Sequence, residues 1–147
     1  ETEIIARYDI EIEDYSKHIQ IEGRILGDIA RNHIIPTAIA YQNVLIKNVK
    51  GLKEIYGESF KDIAKEQMSI IEAISNHIEN INKATGEMIE ARKKANAIDD
   101  ATDRAHAYCD DVKPYFDTIR YHCDKLELMV DDEIWPLTKY REMLFTK

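Results

Sequence analysis

The stretch GDIARNHIIPTAIAYQNVLIKNVKG, Gly27 to Gly51, reads as helix on both sides of a single proline. Apolar side chains recur three, four or seven residues apart before it, at Tyr8, Ile12, Tyr15, Ile19, Leu26, Ile29 and His33, and after it at Ala38, Tyr41, Leu45 and Val49. That spacing keeps one stripe on one face of a helix. Pro36 removes a backbone donor and crowds the preceding turn, so the spacing predicts a helix that kinks or restarts there. Lys47, Lys50 and Lys53 cluster around Gly51, and cations with a glycine form a helix stop signal. The first helix is therefore expected from about Ile5 or Asp9 to about Val49. The alternation in YDIEIE is too short and isolated to build a sheet.

Working outward from that helix, Ser59 with Asp62 forms a capping signal just ahead of a second periodic run. Positions 60, 67, 74, 81, 88 and 95 hold Phe, Gln, Ile, Ile, Met and Ala. A seven-residue series of that kind is a bundle or coiled-coil seam. The basic run Arg92-Lys93-Lys94 closes this helix and complements its C-terminal dipole, a reading preferred over a binding patch. Asp99, Asp100 and Asp103 suit the start of a third helix. Its core face runs through Ala101, Ala105, Tyr108, Val112, Tyr115, Phe116, Ile119, Cys123, Leu126 and Val130, with a second kink expected at Pro114. A short last helix follows, holding Tyr140, Met143 and Leu144. Three long helices with short links pack as antiparallel neighbours. The expected fold is all-α, one helical domain over residues 1–147.

The bulk numbers fit one soluble domain with a sizeable core. The chain has 147 residues, 44% hydrophobic and 33% charged. Its net charge of −8 argues against nucleic acid, which needs a clustered basic face. No apolar run reaches the length of a membrane span, and no signal peptide is visible. Cys109 and Cys123 lie on one helix, roughly 21 Å apart along its axis, so they cannot pair. Free buried thiols in a reducing cytoplasm are expected. The chain starts without Met, in already patterned sequence, which reads as a piece of a longer protein.

Chemistry is harder to find. No histidine follows a glutamate by three positions, as a di-iron bundle requires. Asp103-x-x-His106 is the nearest match and occurs once. Zinc, nucleotide-loop and phosphate-loop patterns are absent. His122 and Cys123 are neighbours about 100° apart on a helix and cannot act as base and nucleophile for one another. Trp135 reads first as an anchor that pins the tail to the bundle. Trp135, Tyr140 and Leu144 are the candidate docking residues. No catalytic, cofactor-binding or metal-binding residue is assigned.

Three stretches carry a family resemblance: QIEGRILGDIARNHIIPTAIAYQNVLIKNVKGLKEIYG, MIEARKKANAIDD and AYCDDVKPYFDTIRYHCDKLELMVDDEIWPLTKYREMLF. Together they resemble the C-terminal region of type III glutamine synthetases, the large bacterial glutamate–ammonia ligases, from about Arg7 to Lys147. The resemblance implies an enzyme that uses ATP and Mg²⁺. It phosphorylates the γ-carboxylate of glutamate, and ammonia then displaces phosphate to give glutamine. It also implies a dodecamer of two stacked hexameric rings. The family's metal carboxylates, glycine-rich substrate loop and phosphate-binding arginines belong to the catalytic domain, and none is in this sequence. Glu22, Asp28 and Glu90 are read as solvated or salt-bridged faces. The expected role is structural, supporting assembly or regulation alongside the catalytic domain and neighbouring subunits. The alternative is a module that binds a metabolite or regulator through Trp135, Tyr140 and the acids around Asp131.

Overall fold

The structure, a computed structural model, describes residues 2–144, apart from the side chains of residues 2, 4, 5, 6, 140 and 141. Every regular element among them is helical. Helix α1 spans Thr2–Ile29 and α2 spans Ile35–Tyr56, with a π-helical turn, Ala30–Ile34, between them. A 3₁₀ turn at Gly57–Ser59 and the single turn α3, Phe60–Ile63, lead into α4, Lys65–Asn96. Helix α5, Ala101–Ala107, passes through a second π-turn, Tyr108–Val112, into α6, Pro114–Met129. The last element is α7, Tyr140–Met143.

Both π-turns sit directly ahead of a proline. In each, the residue before the proline donates five positions back: Ile35 N–H to the carbonyl of Ala30, and Lys113 N–H to that of Tyr108. Proline cannot donate, and its ring clashes with the carbonyl four residues earlier. One wider turn accommodates both demands while the helix continues. The sequence asks for a kink or a restart at Pro36 and Pro114. What stands there is a π-turn. The extra residue also shifts the apolar stripe, so Ile34 and Ile35 are both buried although adjacent.

The glycine stop lies later than the sequence suggests. Gly51 is inside α2, with open space where a Cβ would stand. The helix ends at Gly57, whose φ of +56° ordinary residues avoid. Ser59 makes no side-chain capping bond, so the Ser59–Asp62 signal is not used. The helix interrupts again at Ala64 before α4 begins. Asp100 does cap the third helix, accepting from the Asp103 N–H at 2.9 Å.

Side-chain contacts fix the relative directions. Gln20 donates to Asn96, Gln42 to the Ile71 carbonyl and Gln67 to Asn48, so the first long helix descends as α4 rises. His77 meets His122, and Tyr108 donates to Asn96, so α6 and the turn before it run opposite to α4. Helix α4 is the central element, packing on both α2 and α6. Its heptad is realised: Ile74, Ile81, Met88 and Ala95 are at most 1% exposed. Each fully buried large side chain contributes about 1.5–3 kcal/mol. The core continues through Tyr108, Val112, Ile119, Leu126 and Val130.

The face of α1 is built differently from its expected stripe. Tyr8 and His33 are exposed, whereas Ser16, Gly23, Gly27 and Ala30 are buried. Small residues let α1 lie close to its neighbours. A Cβ on Gly23 would stand 3.2 Å from the Phe116 ring, and one on Gly27 3.4 Å from Thr85 and Met88.

Candidate functional site

Three candidate docking residues came from the sequence, and the tail positions two of them differently. Trp135 is buried against the bundle. Leu144 is 64% exposed. The side chain of Tyr140 lies outside the described residues.

The residue that organises this tail is one the sequence reading passed over. Lys139 is a buried lysine, 7% exposed. Its ammonium donates to the carbonyls of Glu127 at 2.8 Å and Val130 at 2.9 Å, and to the Asp132 carboxylate at 2.5 Å. All three N–H donors of the ammonium are therefore used. The first carbonyl is in the last turn of α6 and the second is on its C-cap residue, where a cation also meets the negative end of the helix dipole. The Lys139 backbone N–H is held by the Glu142 carboxylate at 2.9 Å, which opens α7. A lysine four residues after a buried tryptophan, downstream of an acidic helix end, was the available signal.

Above this lock, α6 presents apolar groups to water. Tyr121 is 56% exposed and Leu128 is 80% exposed, seven residues apart on one outward stripe. Ile134, Leu137 and Met143 are exposed on the tail that folds against the end of α6. Single exposed apolar residues are ordinary on a folded surface.

Reactive groups are few. Nδ1 of His77 and Nδ1 of His122 are 2.8 Å apart across the α4–α6 contact. One nitrogen must donate and the other accept, so the pair cannot carry protons on both of these atoms. Burial pushes both rings below the usual histidine range, and His122 and Lys125 add to the effect on His77. The rings of Tyr121 and His122 stand nearly perpendicular, with their centroids 5.1 Å apart. Among the described residues, no three histidine, cysteine, aspartate or glutamate side chains converge on a metal position.

Both cysteines are free. Cys123 is buried, and burial pushes its thiol up to about 12, where it is inert at neutral pH. Cys109, expected to be buried, is exposed. Cys109, together with burial, raises the Tyr15 phenol to about 12. Glu90 pairs with Lys93 at 2.7 Å, and Asp28 accepts from Asn32. No helix is long and apolar enough to cross a membrane among the described residues.

Comparisons with known proteins agree on one family. Residues 1–53 match the family model described as the glutamine synthetase C-terminal domain. The full chain is 45% identical over 148 residues to a glutamine synthetase of Bacteroides fragilis. It is 26% identical over 144 residues to a glutamine synthetase of Butyrivibrio fibrisolvens, covering 98% of the chain. It is 26% identical over 152 residues to the type-3 glutamine synthetase of Dictyostelium discoideum, covering 99% of the chain. In each case the alignment takes in 20% of the relative, so the chain spans about a fifth of the length of these curated relatives. The resemblance read from the sequence and these matches name the same family.

Proposed function

We propose that this chain, similar along its whole length to glutamine synthetases that include the type-3 form, is the C-terminal helical domain of such an enzyme. The enzyme it belongs to makes glutamine from glutamate, ammonia and ATP through γ-glutamyl phosphate, with Mg²⁺, in the cytoplasm. The domain's own role is structural: it supports the catalytic domain and the assembly of subunits into a ring-built oligomer. The observation that carries this reading is the full-length alignment at 45% identity, confined to one fifth of a synthetase. The outward stripe of Tyr121 and Leu128, with the apolar tail beside it, is the surface that would meet the rest of the enzyme. Burying one leucine of this kind contributes about 2 kcal/mol.

The test uses the full-length enzyme and this chain side by side. Incubated with glutamate, hydroxylamine, ATP and Mg²⁺, the chain alone is expected to make no γ-glutamyl hydroxamate. The full-length variant L128D is expected to lose assembled mass in light scattering and activity with it. Hydroxamate from the chain alone would overturn the structural role. Unchanged assembly in L128D would remove this surface from it.

A further inference from the structure

An acidic chain with a net charge of −8 gathers three arginines in one small cleft. Arg24 on α1 and Arg31 in the π-turn that follows it are seven residues apart, and Arg92 faces them from α4. Gly23 and Gly27 on the α1 side and Ile89 on the α4 side line this cleft with them, and its volume is about 260 Å³. Arg31 reaches across it, donating through Nη2 to the Asn82 carbonyl on α4 at 3.4 Å.

The arginines are only partly offset from within, since three guanidiniums share the cleft with one carboxylate, Asp28. Among the described residues, the five ion pairs are made by Arg7, Lys17, Lys93 and Lys139, and none involves Arg24, Arg31 or Arg92. Nη1 of Arg92 is buried and has no hydrogen-bond partner. The one carboxylate in the cleft, Asp28, accepts from Asn32 at 2.5 Å. Arg24 and Arg92 also act on the same phenol, Tyr108, where they oppose the upward push of burial. Like charges brought together and a buried guanidinium donor left unmade are both unfavourable. An oxyanion between the guanidiniums relieves both, because its oxygens accept their paired N–H groups. The basic run at residues 92–94 is thereby divided. Lys93 pairs with Glu90 on the surface, while Arg92 turns inward.

We propose that the cleft between α1 and α4 binds a small multiply charged oxyanion, held by Arg92 and Arg24 with Arg31 at its edge. Its volume suits a phosphate group or a short dicarboxylate, and is too small for a helix. The proposal is independent of the assembly role given above.

The test is a titration of the ¹⁵N-labelled chain at constant ionic strength, with inorganic phosphate in one arm and succinate in the other. The amides of Gly23, Gly27 and Gly86 and the Arg92 side chain are expected to shift and saturate. Saturation with phosphate alone identifies a phosphate group as the ligand, and saturation with succinate alone identifies a carboxylate. R24M, at an exposed position, is expected to weaken binding about tenfold, the effect of losing a charge-assisted contact. R92M should do so at least as strongly, while K83M at a nearby surface position leaves it unchanged. Shifts that stay linear in both arms, or that match in wild type and R24M, would overturn the site.

Discussion

The ammonium of Lys139 lies 5.7 Å from the centre of the Trp135 ring, and the two side chains are buried together at the end of α6. The tail of the domain is tied down by this pair and by the carbonyls beneath it, more than by the single-turn helix α7. Replacing Lys139 leaves the Glu127 and Val130 carbonyls and Asp132 without this ammonium. K139M is expected to cost about 1.5–3 kcal/mol. Trp135 is the sole tryptophan, so its emission reports on the tail directly. A red shift and faster quenching are expected in K139M. Unchanged emission would mean that Trp135 holds the tail without the lysine.

Gly51 and Gly57 should respond to alanine with opposite signs. Gly51 is in a regular helix with free space at its Cβ position, so G51A is expected to stabilise the chain by about 0.5–1 kcal/mol. Gly57 needs φ of +56°, so G57A is expected to destabilise it by about 1–3 kcal/mol. Urea unfolding of the two variants measures both. Equal signs would contradict the helix end at Tyr56.

Thr85 is fully buried at the α1–α4 contact, and its hydroxyl has no hydrogen-bond partner. Valine has the same shape without the hydroxyl. T85V is therefore expected to stabilise the fold by about 1 kcal/mol, the cost of an unmade buried hydrogen bond. A loss of stability in calorimetry would show that the hydroxyl is satisfied in solution.

The histidine pair makes stability depend on pH. His77 and His122 both hold their protons less tightly when folded than the ordinary value of 6.5. Between the lowered folded values and 6.5 the unfolded chain binds more protons, so stability rises with pH. It is complete above 6.5 and is lost as pH falls through that window. The double variant H77Q/H122Q should flatten this part of the profile, read as the change in melting temperature between pH 7 and pH 5.5. An identical slope in the variant would assign the dependence to other groups.

Much of this molecule follows from local pattern. The seven-residue series from Phe60 to Ala95 predicts the seam of α4, and four of its members are nearly inaccessible. The core face of the third helix and its Asp100 cap are equally local, because a period of 3.6 residues and a free backbone N–H are properties of one segment. The family is legible too, since side-chain order along the chain survives without coordinates.

What stayed hidden depends on partners distant in sequence. Whether Gly51 or Gly57 ends the first helix turns on backbone angles, and both carry the same glycine signal. Small residues on α1 register as weak hydrophobic positions, yet they mark where Phe116, Thr85 and Met88 come close. His77 and His122 are 45 residues apart, and Lys139 gains its meaning only where the tail returns to the last turn of α6. The sequence by itself determined the helical class, the apolar seam of α4 and the likeness to glutamine synthetases. Only the tertiary structure decided which polar groups meet across those helices, because a hydrogen bond or a charge cluster requires ångström-level placement that periodicity does not encode.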